Sequence, residues 1–436
     1  MTTQTRIMAL ALLLCCVLNV ADAQRAPQRL PREVNDVTRP AAAKTTAIVG
    51  ATLIDGRGGV PVNDAVVIVR GERIVAAGGR SAVRMPLDAE VIEARGLTLL
   101  PGLIDAHFHI DGDDALPSLF LSHGITSARD PGQWIEAYDG ARKLGRPLPR
   151  LFLAGPHLDT PPPAYPADSF IVRDADETRN AVNRFIDQGA SAIKVYFRLP
   201  LGLIKVVTAT AHARGVPVTA HLEIVDAADA VRAGVDGIEH ITSLGTALVP
   251  LREAEKYRQA VLADNNARRE GRYRMWSEIE LQAPRVQPLL ELLTQRGTFL
   301  SPTLAIYERR NGDRGTSELH VRGFANMLRF VGLAQKAGVR VVVGSHSSVP
   351  HAERGWAYQR ELELLVESGL TPSQVIVAAT MENARFFRIA DRLGSIEAGK
   401  LADLLLVEGD PLTQISAMRR VKRVMLNGLW VQPNQP

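Results

Sequence analysis

The sequence predicts an α/β fold, in which a (β/α)8 barrel of the TIM type is joined to a small β-sandwich domain formed from both chain ends. Two observations carry this prediction. The middle of the 436-residue chain alternates short apolar strands with amphipathic helical stretches, and both ends carry β-branched runs separated by turn residues. Hydrophobic residues make up 46% of the chain and charged residues 22%, which is the balance of a soluble globular protein.

Residues 1–23 have the pattern of a cleavable signal peptide. Arg6 precedes the apolar run MALALLLCCVLNV, and the tripeptide Ala21-Asp22-Ala23 offers a small-x-small cleavage site. The run is too short to span a bilayer comfortably, so we expect a periplasmic or secreted protein. A lipoprotein signal is the alternative, since Cys15 and Cys16 lie in the run, although no small residue precedes either of them.

The segments on both sides of the barrel are predicted from their composition. Both cysteines fall inside the signal, so the mature chain would bind a metal only through histidine, carboxylate or lysine. Residues 24–44 are rich in Pro and Arg and predict a flexible linker. Residues 45–96 predict the N-terminal part of the β-sandwich as an antiparallel sheet, and residues 391–436 predict its C-terminal part.

Residues 97–390 predict the barrel itself. Eight candidate strands end in LIDAHFHI, GITSARD, RLFLAG, AIKVY, VTAH, GIEH, TFLSP and VRVVVG, and helical stretches follow most of them. An open doubly wound sheet is the alternative. The barrel is favoured because polar side chains gather at the C-terminal ends of several strands, where barrel sites are built. The polar stretch from Leu251 to Glu280 is predicted to be helical and to cover the barrel mouth.

Four histidines and a lysine stand at these strand ends. His107 and His109 lie two residues apart, so they point to one face of a strand and can share a divalent metal. Lys194 lies in an apolar strand, where burial would lower the pKa of its amine and allow carbon dioxide to add as a carbamate. His221 and His240 each end a strand. Each group alone is explained as well by packing, capping or an internal salt bridge, but together the five predict a metal site.

The stretches around these residues resemble the metal-dependent amidohydrolase superfamily, in the branch of secreted imidazolonepropionase-like and prolidase-like enzymes. The matching stretches are LIDGRGG, LLPGLIDAHFH, GITSARD, AIKVY, VTAHLE, GIEHITSLG, HAERGWAYQRELELLVESGLTP and ATMENARFFRIADRLGSIEAGKLADLLLVEGDPL. They are spread from Ala47 to Val431 and are specific for the superfamily rather than for a substrate. The resemblance implies a barrel flanked by a small β-sandwich, in agreement with the composition of the chain ends.

The resemblance also implies a ligand set. His107 and His109 would bind the more buried metal, Lys194 as its carbamate would bridge two metals, and His221 and His240 would bind the outer metal. We expect two zinc ions, because histidine-rich sites accept zinc readily.

One position departs from the family pattern. After the eighth strand the family expects an aspartate, usually within Gly-Thr-Asp-Ser, whereas this chain has Gly344-Ser345-His346-Ser347. That aspartate orients the attacking hydroxide and passes its proton to the leaving nitrogen. Three alternatives follow for His346. It serves as a base or a metal ligand in a working enzyme, or its presence in place of aspartate costs most of the activity. In the third alternative its side chain turns away from the site and has a structural role. General acid–base catalysis contributes about 10²–10⁴-fold, so the second alternative would be a large loss.

Four further residues are candidates for contacts with substrate. Tyr196 follows Lys194 by two residues and is predicted to donate a hydrogen bond to the substrate carbonyl or oxyanion. His157 in a Pro-rich loop, His351 after the eighth strand and Thr303 after the seventh are predicted to bind substrate. A core tyrosine, solvated loop histidines and a packing threonine are the respective alternatives.

The sequence thus predicts a metal-dependent hydrolase of C–N bonds in a small-molecule substrate: an amide, a cyclic amide or, as first choice, a dipeptide. The alternatives are a catalytically impaired metal-binding or scaffold protein derived from an amidohydrolase, and a lactone or phosphotriester hydrolase. The net charge of +4 is dispersed apart from a short RRVKR, so no nucleic-acid partner is predicted. No membrane span is expected in the mature chain, and both a monomer and an oligomer remain open.

Overall fold

The computed structural model describes residues 44–432. The predicted signal peptide, residues 1–23, and residues 24–43 of the predicted linker lie outside the described residues. Between residues 44 and 432, none of the helices combines the length and the apolar character that a membrane crossing requires.

The strands fall into three groups along the chain: five that begin the β domain, ten in the barrel segment, nine of which form its strand positions, and three that complete the β domain. In chain order they are β1 (Thr45–Leu53), β2 (Val62–Arg70), β3 (Arg73–Gly79), β4 (Glu90–Glu93), β5 (Leu97–Pro101), β6 (Leu103–Asp105), β7 (Ile125–Asp130), β8 (Arg150–Leu153), β9 (His157–Asp159), β10 (Ser169–Ile171), β11 (Ile193–Val195), β12 (Val218–Ala220), β13 (Gly237–Glu239), β14 (Phe299–Ser301), β15 (Arg340–Val341), β16 (Leu404–Glu408), β17 (Val421–Leu426) and β18 (Leu429–Trp430).

The helices occupy the connections of the barrel and the segment that returns to the β domain. They are α1 (Leu116–Ser122), α2 (Asp139–Lys143), α3 (Ala175–Gln188), α4 (Leu201–Ala213), α5 (Ala227–Arg232), α6 (Gly245–Leu248), α7 (Leu251–Ala263), α8 (Ala267–Glu278), α9 (Val286–Arg296), α10 (Leu304–Tyr307), α11 (Glu318–Lys336), α12 (Ala357–Glu367), α13 (Pro372–Val377) and α14 (Asn383–Phe386). The predicted helical stretch from Leu251 to Glu280 forms α7 and α8.

The β domain is one eight-stranded sheet to which both chain ends contribute. Its order is β18-β17-β16-β5-β1-β2-β3, with β4 paired to β1. The strand pairing corrects two expectations. The sheet is mixed rather than antiparallel, since β4 and β5 both pair parallel with β1. The predicted boundary after residue 96 is also displaced, because β5 pairs with β16 in the β domain and the barrel begins at β6.

The displaced boundary has a local cause in the run LLPGLID. The run is apolar up to Asp105, and Gly102 divides it between the two sheets. The backbone N–H of Gly102 donates to the carbonyl of Asp403 at 2.8 Å, which ties the break to the β domain. A side chain at this position would lie 2.2 Å from Oγ1 of Thr126, so glycine permits the close approach of the two strands.

The barrel has eight positions, the third of which is divided between β8 and β9. The strands pair parallel within two sheets, β6-β7-β8 and β10-β9-β11-β12-β13-β14-β15. Backbone hydrogen bonds join these sheets at both seams: Ala106 N–H donates to the carbonyl of Val343 at 2.9 Å, and Ser191 N–H donates to the carbonyl of Leu153 at 2.8 Å. The predicted barrel is confirmed in preference to the open doubly wound sheet.

Local sequence determines where the barrel helices start and stop. Helix α3 begins after Asp174, whose carboxylate accepts the N–H groups of Asp176 at 2.9 Å and Glu177 at 2.8 Å. It ends at Gly189, which has a φ of 103°, a left-handed conformation that glycine adopts without steric cost. The amphipathic helix predicted before the fourth strand is therefore formed.

Apolar side chains fill the barrel away from the polar strand ends. Ile104, Phe152, Phe299 and Val342 form a buried cluster with side chains that include Phe386 from α14. The filled interior leaves the carboxyl ends of the strands as the place where polar side chains converge.

Candidate metal centre and active site

Six of the predicted side chains meet at the carboxyl ends of the barrel strands. His107 and His109 follow β6, Lys194 lies within β11, and the other three, His221, His240 and His346, follow β12, β13 and β15. The centroids of neighbouring imidazole rings lie 4.5–5.5 Å apart. Groups from five barrel strands therefore share one small space, as the strand-end positions predicted.

His107 is completely buried and is held by two carboxylates. Its Nδ1 lies 2.7 Å from Oε2 of Glu239, and its backbone N–H donates to Oδ1 of Asp105 at 3.0 Å. A carboxylate beside Nδ1 favours the tautomer that carries the proton there, which leaves the lone pair on Nε2. That Nε2 lies 3.0 Å from Nε2 of His109, so the two lone pairs can converge on one cation.

His109 is supported on its other side by a second buried acid. Its Nδ1 lies 3.5 Å from Oδ1 of Asp130, the last residue of β7. Asp130 is fixed in turn by the hydroxyl of Tyr138, which donates to its Oδ2 at 2.9 Å, and by the N–H of Gly132 at 3.0 Å. The ring of His109 is thereby oriented with Nε2 toward His107.

The two histidines predicted for an outer metal are oriented in the same manner. Nε2 of His221 lies 3.1 Å from Oε1 of Glu223, while its buried Nδ1 has no hydrogen-bond partner within residues 44–432. Nδ1 of His240 lies 2.7 Å from the hydroxyl of Thr303, which leaves Nε2 available. A buried ring nitrogen without a partner is costly unless a ligand satisfies it.

These contacts form a consistent pattern across the four imidazoles. Each ring has one nitrogen beside an oxygen of a neighbouring side chain and the other directed at the shared space. Oxygen partners of this kind fix the tautomer and the ring orientation of metal-binding histidines. The donor set therefore fits one or two divalent cations, and nitrogen donors suit zinc.

Lys194 lies among these rings at the wall of the cavity. Its side chain is buried, and burial lowers the pKa of its amine from the ordinary value although Glu239 and Asp130 oppose the change. Its Nζ lies 5.9 Å from the ring centroid of Tyr196. A lowered pKa makes the neutral amine, which is the form that reacts with carbon dioxide, easier to reach.

Burial favours the neutral form of four of the imidazoles, those of His107, His221, His240 and His346. It is the main cause that lowers the pKa of His107, His240 and His346 well below the usual value, and neighbouring cationic groups add to the effect. The pKa of His221 falls to about 4, because burial outweighs the nearby Glu223 carboxylate. Neutral rings are the form in which histidine donates a lone pair to a metal.

His346 faces the site rather than turning away from it. A ring nitrogen of His346 lies within 4.8 Å of ring nitrogens of both His107 and His109. Its backbone has a φ of 58°, and its N–H donates to the carbonyl of His107 at 2.7 Å. The preceding Gly344 permits this approach, since a Cβ there would lie 2.6 Å from Cβ of His107. Whether His346 acts as base or as ligand stays a prediction.

A cavity of about 440 Å³ opens in front of these groups. Tyr196 and His157 both line it, and their ring centroids lie 4.0 Å apart. Nε2 of His157 lies 2.8 Å from the hydroxyl of Ser169. The predicted contacts of Tyr196 and His157 with substrate are compatible with this placement.

The other two predicted substrate-binding residues lie away from the cavity lining. Thr303 is completely buried, and its hydroxyl contacts Nδ1 of His240, so it orients that ring from behind. His351 lies beyond the rim, with Nε2 at 2.9 Å from Oδ2 of Asp313. Neither placement supports direct contact with a substrate.

The carboxylates behind the histidines and the arginines of the cavity were not predicted from the sequence. Glu239 is adjacent to His240 and Glu223 lies two residues after His221, so a search for acids near strand-end histidines would have found both as candidates, although not the ring that each supports. Arg268 and Arg272, which line the cavity, lie on α8 far from any motif. No spacing of residues in the sequence indicated that these two arginines line the cavity.

Comparison with known proteins agrees with this geometry. The sequence matches the Amidohydrolase family over residues 98–431. An N-acyl-D-aspartate deacylase of Alcaligenes xylosoxydans xylosoxydans is 49% identical over 86 residues, which are 18% of this chain and 16% of that protein. The chain spans about half the length, or less, of the curated relatives that it matches, with coverages of 16%, 53% and 19%.

Two solved structures share the fold at 23% sequence identity and a TM-score of 0.69. One is a Xaa-Pro dipeptidase with bound methionine in the active site, which covers 89% of this chain and 99% of its own. The other is a putative prolidase from Bifidobacterium longum, which covers 91% of this chain and 96% of its own. The family match runs from β5 through the barrel to the C-terminal strands, and the chain belongs to the amidohydrolase family.

Proposed function

We propose that this protein hydrolyses a carbon–nitrogen bond in a small substrate, an amide, a cyclic amide or a dipeptide, with one or two bound divalent metals, zinc being the first choice. The observation that carries the proposal is the arrangement of four imidazoles, each with one nitrogen beside an oxygen and the other directed at a space shared with Lys194. Similar proteins named as a deacylase and as a dipeptidase support the choice of bond.

The side chains around the cavity have separate parts in this proposal. A divalent metal in such a site supplies hydroxide near neutral pH and polarises the substrate carbonyl. Tyr196, which lines the cavity, would donate a hydrogen bond from its hydroxyl to the carbonyl oxygen as charge develops there. His346, held neutral by burial, accepts a proton on a ring nitrogen and returns it to the leaving amine.

Lys194 is proposed to carry a carbamate. Its neutral amine forms an N–C bond to carbon dioxide and loses one proton, which yields an anionic group among the imidazoles. The carbamate would offset part of the positive charge of the bound metals. A neutral His346, unlike an aspartate, does not offset that charge. Intact-protein mass spectrometry under non-acidic conditions tests this step, with Lys194→Met as the control that should lose the added mass.

Metal analysis joined to a substrate panel tests the proposed function. Purified protein should contain a divalent metal, and the metal-loaded form should hydrolyse N-acyl amino acids or dipeptides, with loss of activity on chelation and recovery on adding metal. Metal without turnover on any substrate would favour the scaffold protein. Turnover of lactones or phosphotriesters in place of amides would favour the third alternative. Protein that binds no divalent ion would contradict all of them.

Export is proposed from the sequence of residues 1–23. We infer that the mature chain begins after Ala23 in the periplasm or outside the cell. N-terminal sequencing of the protein from its native source tests this proposal. An intact Met1, or a lipid-modified cysteine as the first residue, would contradict it.

A further inference from the structure

One wall of the cavity is built from arginine side chains. Arg268, Arg269 and Arg272 come from α8, and Arg309 comes from the loop that follows α10. We call these four residues the arginine wall. Arg268 and Arg272 are four residues apart on one helix, so they lie on the same face.

Arg268 is buried and no carboxylate lies within ion-pair distance of it in residues 44–432, although the buried Asp159 interacts with it electrostatically. Its residue is only 3% exposed, and its guanidinium lies 5.4 Å from the ring centroid of Tyr165 and 5.2 Å from that of Phe197. One Nη donates to the hydroxyl of Tyr165 at 3.1 Å and another to a backbone carbonyl. Within residues 44–432 its Nε has no hydrogen-bond partner and no carboxylate pairs with it.

The other members of the wall are only partly compensated. Arg272 forms an ion pair with Oε1 of Glu223 at 3.2 Å. Arg309 donates to the carbonyl of Glu308 at 2.8 Å and lies 5.1 Å from the ring centroid of Tyr273, with no carboxylate partner in the described chain. The wall therefore carries more guanidinium than carboxylate.

The acids of the cavity do not remove this excess. Asp111 lines the cavity near the first strand position and Asp168 near the third. Asp168 accepts a hydrogen bond from Nε2 of Gln133 at 2.8 Å. Neither acid pairs with the arginine wall. Removing a cation from water without a counter-ion is costly, so the wall is suited to an anionic group that arrives with the ligand.

We propose that the arginine wall binds a carboxylate of the substrate, with Arg268 as its principal contact. The substrates are then amides with a free carboxylate, such as N-acyl amino acids or dipeptides, rather than neutral amides. A planar guanidinium presents two parallel N–H donors that match the two oxygens of a carboxylate. The cavity volume of about 440 Å³ suits a ligand of this size. This inference rests on the proposed hydrolysis for its substrate class.

A matched pair of substrates and variants tests the inference. N-acetyl derivatives of the common amino acids are offered as free acids and as primary amides, and acetate release is measured. The wild type should prefer the acids, and Arg268→Met should lower kcat/KM for them by about 30-fold or more, the effect of removing one partner of a buried charged pair. Arg309→Met should act in the same direction. Arg274→Met, on an exposed site of the same helix, should behave as the wild type.

A binding measurement separates the failure of this inference from the failure of the proposed function. Calorimetry with metal-free protein should detect the free acids bound more tightly than the amides, and Arg268→Met should abolish that preference. The inference is overturned if the wild type binds or hydrolyses acids and amides equally well. It is also overturned if the Arg268→Met variant unfolds at the same temperature as the wild type and still prefers acids to the same extent. Binding of acids through Arg268 without any turnover upholds the inference and overturns the hydrolase.

Discussion

At the scale of single residues, the site depends on a break in strand alternation at His240. Glu239 and His240 are adjacent, and in a regular strand they would point to opposite faces. His240 instead has a φ of 64°, so both side chains reach the site, Glu239 behind His107 and His240 against Thr303. The strand-end histidines were predictable from sequence because each ends an apolar run. The role of Glu239 was not, because it depends on one backbone torsion.

Glu239→Gln tests the importance of the acid behind His107. The amide nearly preserves the volume of the side chain but no longer favours the Nδ1–H tautomer, so Nε2 is less often free for a metal. We expect divalent-metal affinity to fall by about 10- to 100-fold, as for other outer-shell partners. Metal titration with a chelating indicator measures it. Glu291→Gln, at an exposed site, is the control, and equal affinities of the two variants would contradict the assignment.

His346 is the residue that departs from the family pattern, and three forms of the protein test its role. His346→Ala should lower kcat/KM by about 10²–10⁴-fold, because it removes the side chain that is proposed to carry the proton. His346→Asp restores the usual acid and should be at least as active as the wild type. The measurement is steady-state hydrolysis by metal-loaded protein with equal metal content in each form. An alanine variant as active as the wild type would show that His346 does not handle the proton, and so would an aspartate variant that gains nothing over the alanine variant.

At the scale of secondary-structure elements, the position of α8 brings three arginines to the cavity lining. The sequence predicted a helix here from its polar composition and length. It did not predict that the helix presents arginines to the site, since that orientation depends on packing against α11, about fifty residues further along the chain. Helices α8 and α11 approach closely at Gly323, where an added Cβ would lie 2.7 Å from the carbonyl oxygen of Tyr273.

Gly323→Ala is therefore expected to displace α8. An added methyl group meets backbone that has no flexible end to yield, and overpacking of this kind costs about 1–3 kcal/mol. The free energy of unfolding should fall by this amount, and KM for the preferred substrate should rise because Arg268 and Arg272 move with the helix. Gly202→Ala, in α4 with no atom within 4 Å of the added Cβ, should leave KM unchanged and slightly raise stability. Unchanged stability and KM in Gly323→Ala would refute the close contact.

At the scale of the whole molecule, the β domain joins the strands that precede the barrel to the strands that follow it. The alternation of strands and helices was enough to predict the barrel, and the β-branched chain ends were enough to predict their association. The strand order was not predictable, because the pairing of β5 with β16 joins residues about three hundred positions apart. Such pairings depend on tertiary packing, and no local sequence pattern indicates them.

A buried ion pair connects the two parts of the molecule and allows their coupling to be tested. Arg150 of β8 contacts Asp403 through Nε at 2.8 Å and Nη2 at 3.1 Å, and both side chains are almost completely buried. Asp403 also accepts the N–H of Asn427 at 2.7 Å, at the turn between β17 and β18. These contacts therefore connect the C-terminal strands of the β domain to β8, in the third strand position of the barrel.

Asp403→Ala should destabilise the barrel as well as the β domain, because it leaves the guanidinium of Arg150 buried without its acid. Removing one partner of such a pair costs about 3–5 kcal/mol. Glu408→Ala is the matched control in the adjoining strand segment: it breaks the exposed ion pair with Lys422, and such pairs contribute about 0–1 kcal/mol. Thermal unfolding followed by far-UV circular dichroism and by metal release should show both signals shifting together in Asp403→Ala. If only the dichroism shifted, or if both variants unfolded alike, the two parts would be independent and the barrel would hold its site without the β domain.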